Sequence, residues 1–272
     1  MMFSQHRDGE KRIVTLTTDF GLKDAYVAVM KGVILSIAPT ANIVDITHMI
    51  APQDIFEAAL VVKGFYSYFP AASIHLVVVD PGVGSTRSPL VVITQKHLFV
   101  GPDNGVFTFV YDDPHLESVR IIENEEFLLP SISNTFHGRD VFAPVVGYLA
   151  SGVPVDKLGR ESSHYTRIDF PKVERLNDRL IGEIVYFDTF GNAITNIEKE
   201  LLLQFLHDND FYILVGDNMV KRVAASYTQG DQEELCGIFG SYDLLELSVK
   251  GENAKEMFGL KIGNRVDVYL KN

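Results

Sequence analysis

Twice in its N-terminal half the chain carries a short apolar, β-branched run that stops at an aspartate and a glycine. Ile13 to Thr18 leads into Asp19-Phe20-Gly21, and Ile74 to Val79 leads into Asp80-Pro81-Gly82-Val83-Gly84. Such runs read as strands, and a strand without polar alternation needs cover on both faces. Between them the period changes. Val27, Met30, Val33, Ile34 and Ile37 share one helical face, with Asp24 available as N-cap and Pro39 beyond the end. Ile43 to Ile46 is strand-like, and a second helical pattern runs from Pro52 through Ile55, Phe56, Ala59, Leu60 and Phe65. Leu90 to Ile93 and Leu98 to Val100 add buried strands. This alternation predicts an α/β domain with a mixed, mostly parallel sheet covered by helices.

Beyond about residue 165 the texture changes to closely spaced strand patterns at 181–187, 193–197, 211–215, 218–224, 243–249 and 265–270, with weak helical periodicity. The polar stretch Glu161 to Asp178, interrupted by Pro171, is the natural linker. The expected division is therefore 1–165 as the α/β domain and 166–272 as a smaller all-β barrel. A chain of 272 residues, 46% hydrophobic, can fill two such cores.

Composition narrows the function. A formal charge of -12, spread along the chain, argues against wrapping nucleic acid or lying on anionic lipid, so a small-molecule partner is expected. The single cysteine, Cys236, supports neither an internal disulfide nor a zinc knuckle. The opening Met1 to Glu10 is polar and has no leader pattern, and no run approaches the ~18 apolar residues of a membrane span. A cytoplasmic protein without membrane attachment is the expectation.

Ligands of open α/β sheets gather beyond the carboxyl ends of strands. Three loops suit that place: Thr17 to Asp24, Asp80 to Arg87, and Asn134 to Asp140. Taken singly, Asp19 and Asp24 can be helix caps, Gly82 and Gly84 turn residues, and His137 a hydrogen-bonded loop histidine. Taken together, an Asp, an Arg and a His in glycine-bearing loops can hold and polarise a water. Familiar alternatives fail: His137-Gly138-Arg139-Asp140 is no kinase catalytic loop, Gly82-Val83-Gly84-Ser85-Thr86 lacks the phosphate-binding lysine, and no strand is followed by Gly-x-Gly-x-x-Gly.

The ordered set Thr17-Thr18-Asp19-Phe20-Gly21, Val79 to Gly84, Gly101-Pro102-Asp103-Asn104-Gly105, Phe136 to Asp140 and Asp188-Thr189-Phe190-Gly191-Asn192-Ala193-Ile194-Thr195-Asn196 resembles the S-adenosylmethionine hydroxide adenosyltransferase family across nearly the whole chain. Relatives include adenosyl chlorinases and fluorinases, which use halide in place of water. The resemblance implies an N-terminal α/β domain, a C-terminal β-barrel, and a homotrimer with sites between one subunit's first domain and its neighbour's second. It implies hydrolysis of S-adenosyl-L-methionine to adenosine and L-methionine, the substrate being the only small molecule required and no metal or cofactor taking part.

Carried onto this chain, the family's water-handling residues are Asp80, Arg87 and His137. Asp19 matches the ribose-binding aspartate. Asp188 and Asn192 suit the methionine amino group and the adenine edge, and Phe190 suits stacking on adenine, with a core position as its ordinary alternative. Ser241 and Glu246 are further adenosine contacts. Halogen-transferring relatives lack the acidic residue matching Asp80, and fluorinases carry an extra loop without counterpart here; both favour water. Two competing readings are a divalent-metal hydrolase built on Asp19, Asp24, Asp80, His137 and Asp140, and a non-catalytic sensor of S-adenosylmethionine or adenosine.

Overall fold

The computed structural model describes residues 12–207, 209–230 and 232–271. The opening stretch Met1 to Glu10, expected to carry no leader, lies outside them. The chain divides into two compact units between Ile168 and Asp169, inside the polar stretch Glu161 to Asp178.

The first unit runs β1 (Ile13–Thr18), α1 (Tyr26–Ile37), β2 (Asn42–Thr47), α2 (Ile55–Phe65), β3 (Ile74–Val78), β4 (Pro89–Thr94), β5 (Leu98–Pro102), β6 (Leu116–Ile121) and α3 (Ala143–Ala150). Its six-stranded sheet has the order β2-β1-β3-β5-β4-β6. β1 is parallel to β2 and β3, and β3 to β5, whereas β4 is antiparallel to β5 and β6. The sheet is mixed because only Gln95, Lys96 and His97 join β4 to β5, too short for a parallel crossover.

Continuous apolarity is explained by cover on both faces. Leu76 and Val78 pack with Met30 and Ile34 of α1 and with Val145 and Leu149 of α3. Their alternates, Val77 and Val79, pack with Ala58 and Val62 of α2 and with Phe107. The period of two along the strand thus assigns each residue to its helix layer.

Two helix starts differ from expectation. α1 begins at Tyr26 with Ala25 at the N-cap and no side-chain cap bond, so Asp24 is not the cap. α2 begins at Ile55, where Asp54 accepts from the Glu57 amide, rather than at Pro52. The reason is Gln53, whose φ of 68° is left-handed and cannot belong to a right-handed helix. β6 also had no expected counterpart; its Leu-Glu-Ser-Val-Arg-Ile is a polar, half-buried edge strand.

In the second unit β7 (Glu174–Arg175), β8 (Arg179–Phe187), β9 (Ala193–Glu198), α4 (Lys199–Leu206), β10 (Phe211–Val215), β11 (Asn218–Val220), β12 (Val223–Ala224), β13 (Cys236–Phe239), β14 (Leu244–Ser248), α5 (Ala254–Met257) and β15 (Arg265–Leu270) form a curled, mostly antiparallel sheet with two short helices. The strand path is β11-β10-β15-β8-β9-β14-β13-β12, with β7 on β8. Its terminal strands β11 and β12 are separated in sequence by only Lys221 and Arg222. Leu180, Ile213, Leu245, Leu247, Val266 and Val268 fill the concave side, joined by Leu202 and Phe205 of α4. Neither α4 nor β13 was expected. Among the described residues no helix is long and apolar enough to cross a membrane.

Candidate active site

Asp80 stands two residues beyond β3, whose five residues are all buried, so the strand end is fixed before the loop begins. Asn104 Nδ2 donates to the Val79 carbonyl at 2.8 Å and pins that end. The loop then folds on itself through Val83 N to Asp80 O at 3.2 Å and Ser85 N to Gly82 O at 3.0 Å. Gly84 has a φ of 77°, and a Cβ there would come within 2.4 Å of the Asn134 carbonyl. Only glycine lets the Asp80 loop rest against the segment leading to His137.

These constraints bring the three expected residues together. Arg87 Nε donates to Asp80 Oδ1 at 2.9 Å, and Arg87 Nη2 donates to Asp80 Oδ2. The same Nη2 lies 2.9 Å from His137 Nδ1. The guanidinium also lies over Phe142, 5.3 Å from the ring centre. Arginine has no acceptor, so His137 Nδ1 must accept, and the neutral imidazole carries its proton on Nε2. Burial and the neighbouring Arg87 charge push His137 below the ordinary histidine value, against the upward pull of Asp80 and Asp140.

His137 opens a π-helical turn, Gly138–Phe142, that leads into α3. Asp140 within it is buried; it accepts from the Ser133 amide at 2.8 Å and from Arg139 Nη2 at 3.0 Å. Phe136 packs edge-on against Phe20 and Tyr26, with ring centres 5.8 and 5.1 Å apart, tying the His137 segment to the Asp19 turn. Asp19 Oδ2 accepts from the Gln53 amide at 2.8 Å. Of the acidic residues grouped as a metal cluster, Asp80 is engaged by Arg87 and Asp140 by Arg139. Among the described residues no three His, Cys, Asp or Glu side chains converge as a metal site.

The five residues singled out in the second half line one cavity of about 760 Å³: Asp188, Phe190, Asn192, Ser241 and Glu246, with Tyr227 beside them. Phe190 is 76% exposed, so its core alternative does not hold. Asp188 Oδ1 accepts from the amides of Phe190 and Asn192 at 2.9 and 2.8 Å, and Oδ2 from Asn192 Nδ2 at 2.8 Å. The pair therefore shapes its own turn as well as facing the cavity. Gly191 in that turn has a φ of 81° and no room for a Cβ beside Asn253.

Glu246 is 4% exposed and accepts from Tyr227 Oη at 2.8 Å. Burial raises its carboxyl above the ordinary range, the Tyr227 hydrogen bond works against this, and the Asp188 charge adds to it. Gly240 packs directly against it, and a Cβ there would displace the carboxyl group. Tyr227 was not anticipated from the sequence: it sits in a short helical turn, Tyr227–Gln229, with no motif around it.

Comparison with known proteins gives a consistent result. The profile of the SAM hydroxide adenosyltransferase N-terminal domain matches residues 14–159, and that of the C-terminal domain residues 182–267. A Thermus thermophilus protein named (R)-S-adenosyl-L-methionine hydrolase is 38% identical over 93% of this chain and 97% of its own length. One of the same name from Methanocaldococcus jannaschii is 33% identical over 96% and 97%. A Nocardia brasiliensis fluorinase is more distant, 26% identical over 71% of this chain and 73% of its own. The crystal structure of an uncharacterised conserved protein from Thermotoga maritima has a TM-score of 0.88 and 38% identity, covering 94% of this chain and 99% of that one.

Proposed function

The chain belongs to the SAM hydroxide adenosyltransferase family, and from that premise we infer an enzyme that hydrolyses S-adenosyl-L-methionine to adenosine and L-methionine. The observation that carries the mechanism is Arg87 bridging Asp80 and His137. Asp80 receives two parallel bonds from one edge of the guanidinium, which sets its plane. Arg87 in turn fixes the His137 tautomer, leaving Nε2–H as a donor.

A water held by that N–H and by the Arg87 charge meets donors only. Such a setting favours its hydroxide-like form, with the proton passing to solvent. The oxygen forms a bond to ribose C5′ as the C5′–S bond breaks in line, and the electron pair stays on sulfur. The sulfonium becomes neutral methionine thioether, so no acid is needed for departure. Positioning supplies much of the acceleration.

Substrate holding falls to the remaining residues. Asp19 accepts from the ribose hydroxyls, Phe190 stacks on adenine, and Asp188, Asn192, Ser241 and Glu246 take the methionine amino group and the adenosine edges. A cavity lined by Asp188, Glu246 and Glu252 suits a cationic substrate. The intact Asp80 and the more distant fluorinase match favour water over halide.

The test is hydrolysis in isotopically labelled water. Label should appear in the 5′-hydroxyl of adenosine, and unlabelled adenosine would overturn the mechanism. We also propose a homotrimer, implied by the family resemblance, with sedimentation of the purified protein as the check. Closure of the curled sheet into a barrel is proposed as well, since only Lys221 and Arg222 separate its terminal strands. A cytoplasmic location is supported by the single cysteine.

A further inference from the structure

The turn that carries Asp19 is held by the segment that follows β2, and the hold passes through a buried histidine. His48 is 3% exposed. Its Nδ1 lies 2.9 Å from Thr18 Oγ1, and its Nε2 stands 3.1 Å from Asp45 Oδ1, poorly aligned as a hydrogen bond but within ion-pair range. Asp45 accepts from Lys31 Nζ at 2.6 Å as well. The link between Nδ1 and Thr18 forms in either tautomer, because a hydroxyl both donates and accepts.

The Thr18 hydroxyl is thus hydrogen-bonded to His48 and accepts from the Phe20 amide at 3.3 Å. That amide follows Asp19 directly. Two further bonds close the clamp: Gly21 N donates to the His48 carbonyl at 2.7 Å, and Gln53 N donates to Asp19 Oδ2 at 2.8 Å. Gln53 makes its bond from a left-handed backbone that a side-chain-bearing residue rarely adopts. Among the described residues, no member of the Asp45–His48–Thr18 chain hydrogen-bonds to Asp80, Arg87 or His137.

We propose that His48 is a positioning residue for substrate binding: acting through the Thr18 hydroxyl, it fixes the turn that aims Asp19 at the ribose. Losing the link weakens binding and leaves the chemical step alone. The inference rests on the reading of Asp19 as the ribose-binding carboxylate.

Steady-state hydrolysis of S-adenosyl-L-methionine tests it. Thr18→Val keeps the shape and removes the hydroxyl; it should raise KM about tenfold with kcat within about twofold, the effect of one lost buried hydrogen bond. Thr18→Ser should return KM to within about twofold of the parent. His48→Leu should behave as Thr18→Val does, while His48→Gln, which keeps one acceptor and one donor, should lie between; if His48→Leu does not fold, the threonine pair carries the test. Adding Thr18→Val to Asp19→Asn should raise KM no further, because both act through one carboxylate. A fall in kcat at unchanged KM for Thr18→Val, or full additivity with Asp19→Asn, overturns the proposal. If Asp19→Asn raises KM and Thr18→Val does not, only the positioning role falls; if Asp19→Asn leaves KM unchanged, the ribose assignment falls with it.

Discussion

In the first unit Arg87 lies between Asp80 and His137, each within hydrogen-bond reach, whereas in the second unit Asp188, Glu246 and Glu252 line a cavity with no lysine or arginine among its described walls. The first arrangement is internally balanced and rigid: every charge has a partner before a substrate arrives, which suits groups that must meet a transition state without reorganising. The second is unbalanced. Burial and the Asp188 charge both raise Glu246, and its hydrogen-bond donor Tyr227 is neutral. Such a site gains from a cationic ligand, so on the proposed function the Asp80, Arg87 and His137 trio serves turnover and the cavity serves affinity, with Asp19 of the first unit joining it in holding substrate.

That division is open to attack, beginning where the effect is largest. Arg87→Ala and His137→Ala should each lower kcat by about 10²-fold or more while KM moves by less than about threefold, read as adenosine release. An equal loss in binding would erase the distinction between the units.

Acid should then act on the units with opposite sign. His75 is fully buried in β3, with Nδ1 2.8 Å from Thr15 Oγ1 and Nε2 3.3 Å from His97 Nδ1. Burial, and then the neighbouring His97, pull it down to about 3. An unfolded histidine binds its proton near pH 6.5, so His75 leaves stability intact above that pH and removes it as the pH falls towards about 3. At pH 5 the loss is about 2 kcal/mol relative to pH 7. Glu246 is raised instead, and acidification relieves its cost. Hydrogen exchange at pH 5 against pH 7 should show the six-stranded sheet opening first, and earlier exchange in the curled sheet would contradict this.

Smaller in energy is Glu246→Gln. It should weaken S-adenosyl-L-methionine binding about tenfold in calorimetry and neutral adenosine, which keeps the contact but carries no charge, by about threefold or less; equal losses for the two ligands would mean that the cavity reads shape and not charge. Smallest is the position of the acid limb of kcat. Protonating His137 places a second cation beside Arg87, so the limb should lie below the ordinary histidine value of about 6.5. A limb above it would assign the proton to another group.

How much of this was legible in the sequence depends on the kind of signal. Buried parallel strands such as Ile74 to Val78 announce themselves, because both faces must be apolar. The edge strand Leu116–Ile121 does not, since half its residues meet solvent, and Cys236–Phe239 is short and interrupted by Gly237. α4 was missed because eight residues hold barely two helical turns. Asp24 looked like a cap by spacing alone, yet the helix starts one residue too late for it. Asp80, Arg87 and His137 were recognisable because each sits in a motif with glycine. Thr18 ends β1, whereas Asp45 lies in β2 and His48 directly after it, so the threonine meets the histidine only when β1 and β2 pair. Tyr227 reaches Glu246 from 19 positions away.

The π-helical turn Gly138–Phe142 spends more residues per revolution than the α-helix that continues it. The wide turn holds about one residue more than an α turn of the same sweep, so a deletion between 138 and 142 would let it close into ordinary α geometry with its flanks nearly in their former phase. A deletion within 144–149 has no such slack and would swing everything before it, His137 included, by about 100° around the axis. Tolerance of a missing residue is therefore uneven along one continuous coil: a cut in the wide turn should leave His137 facing Arg87, and a cut a few positions later should turn it away.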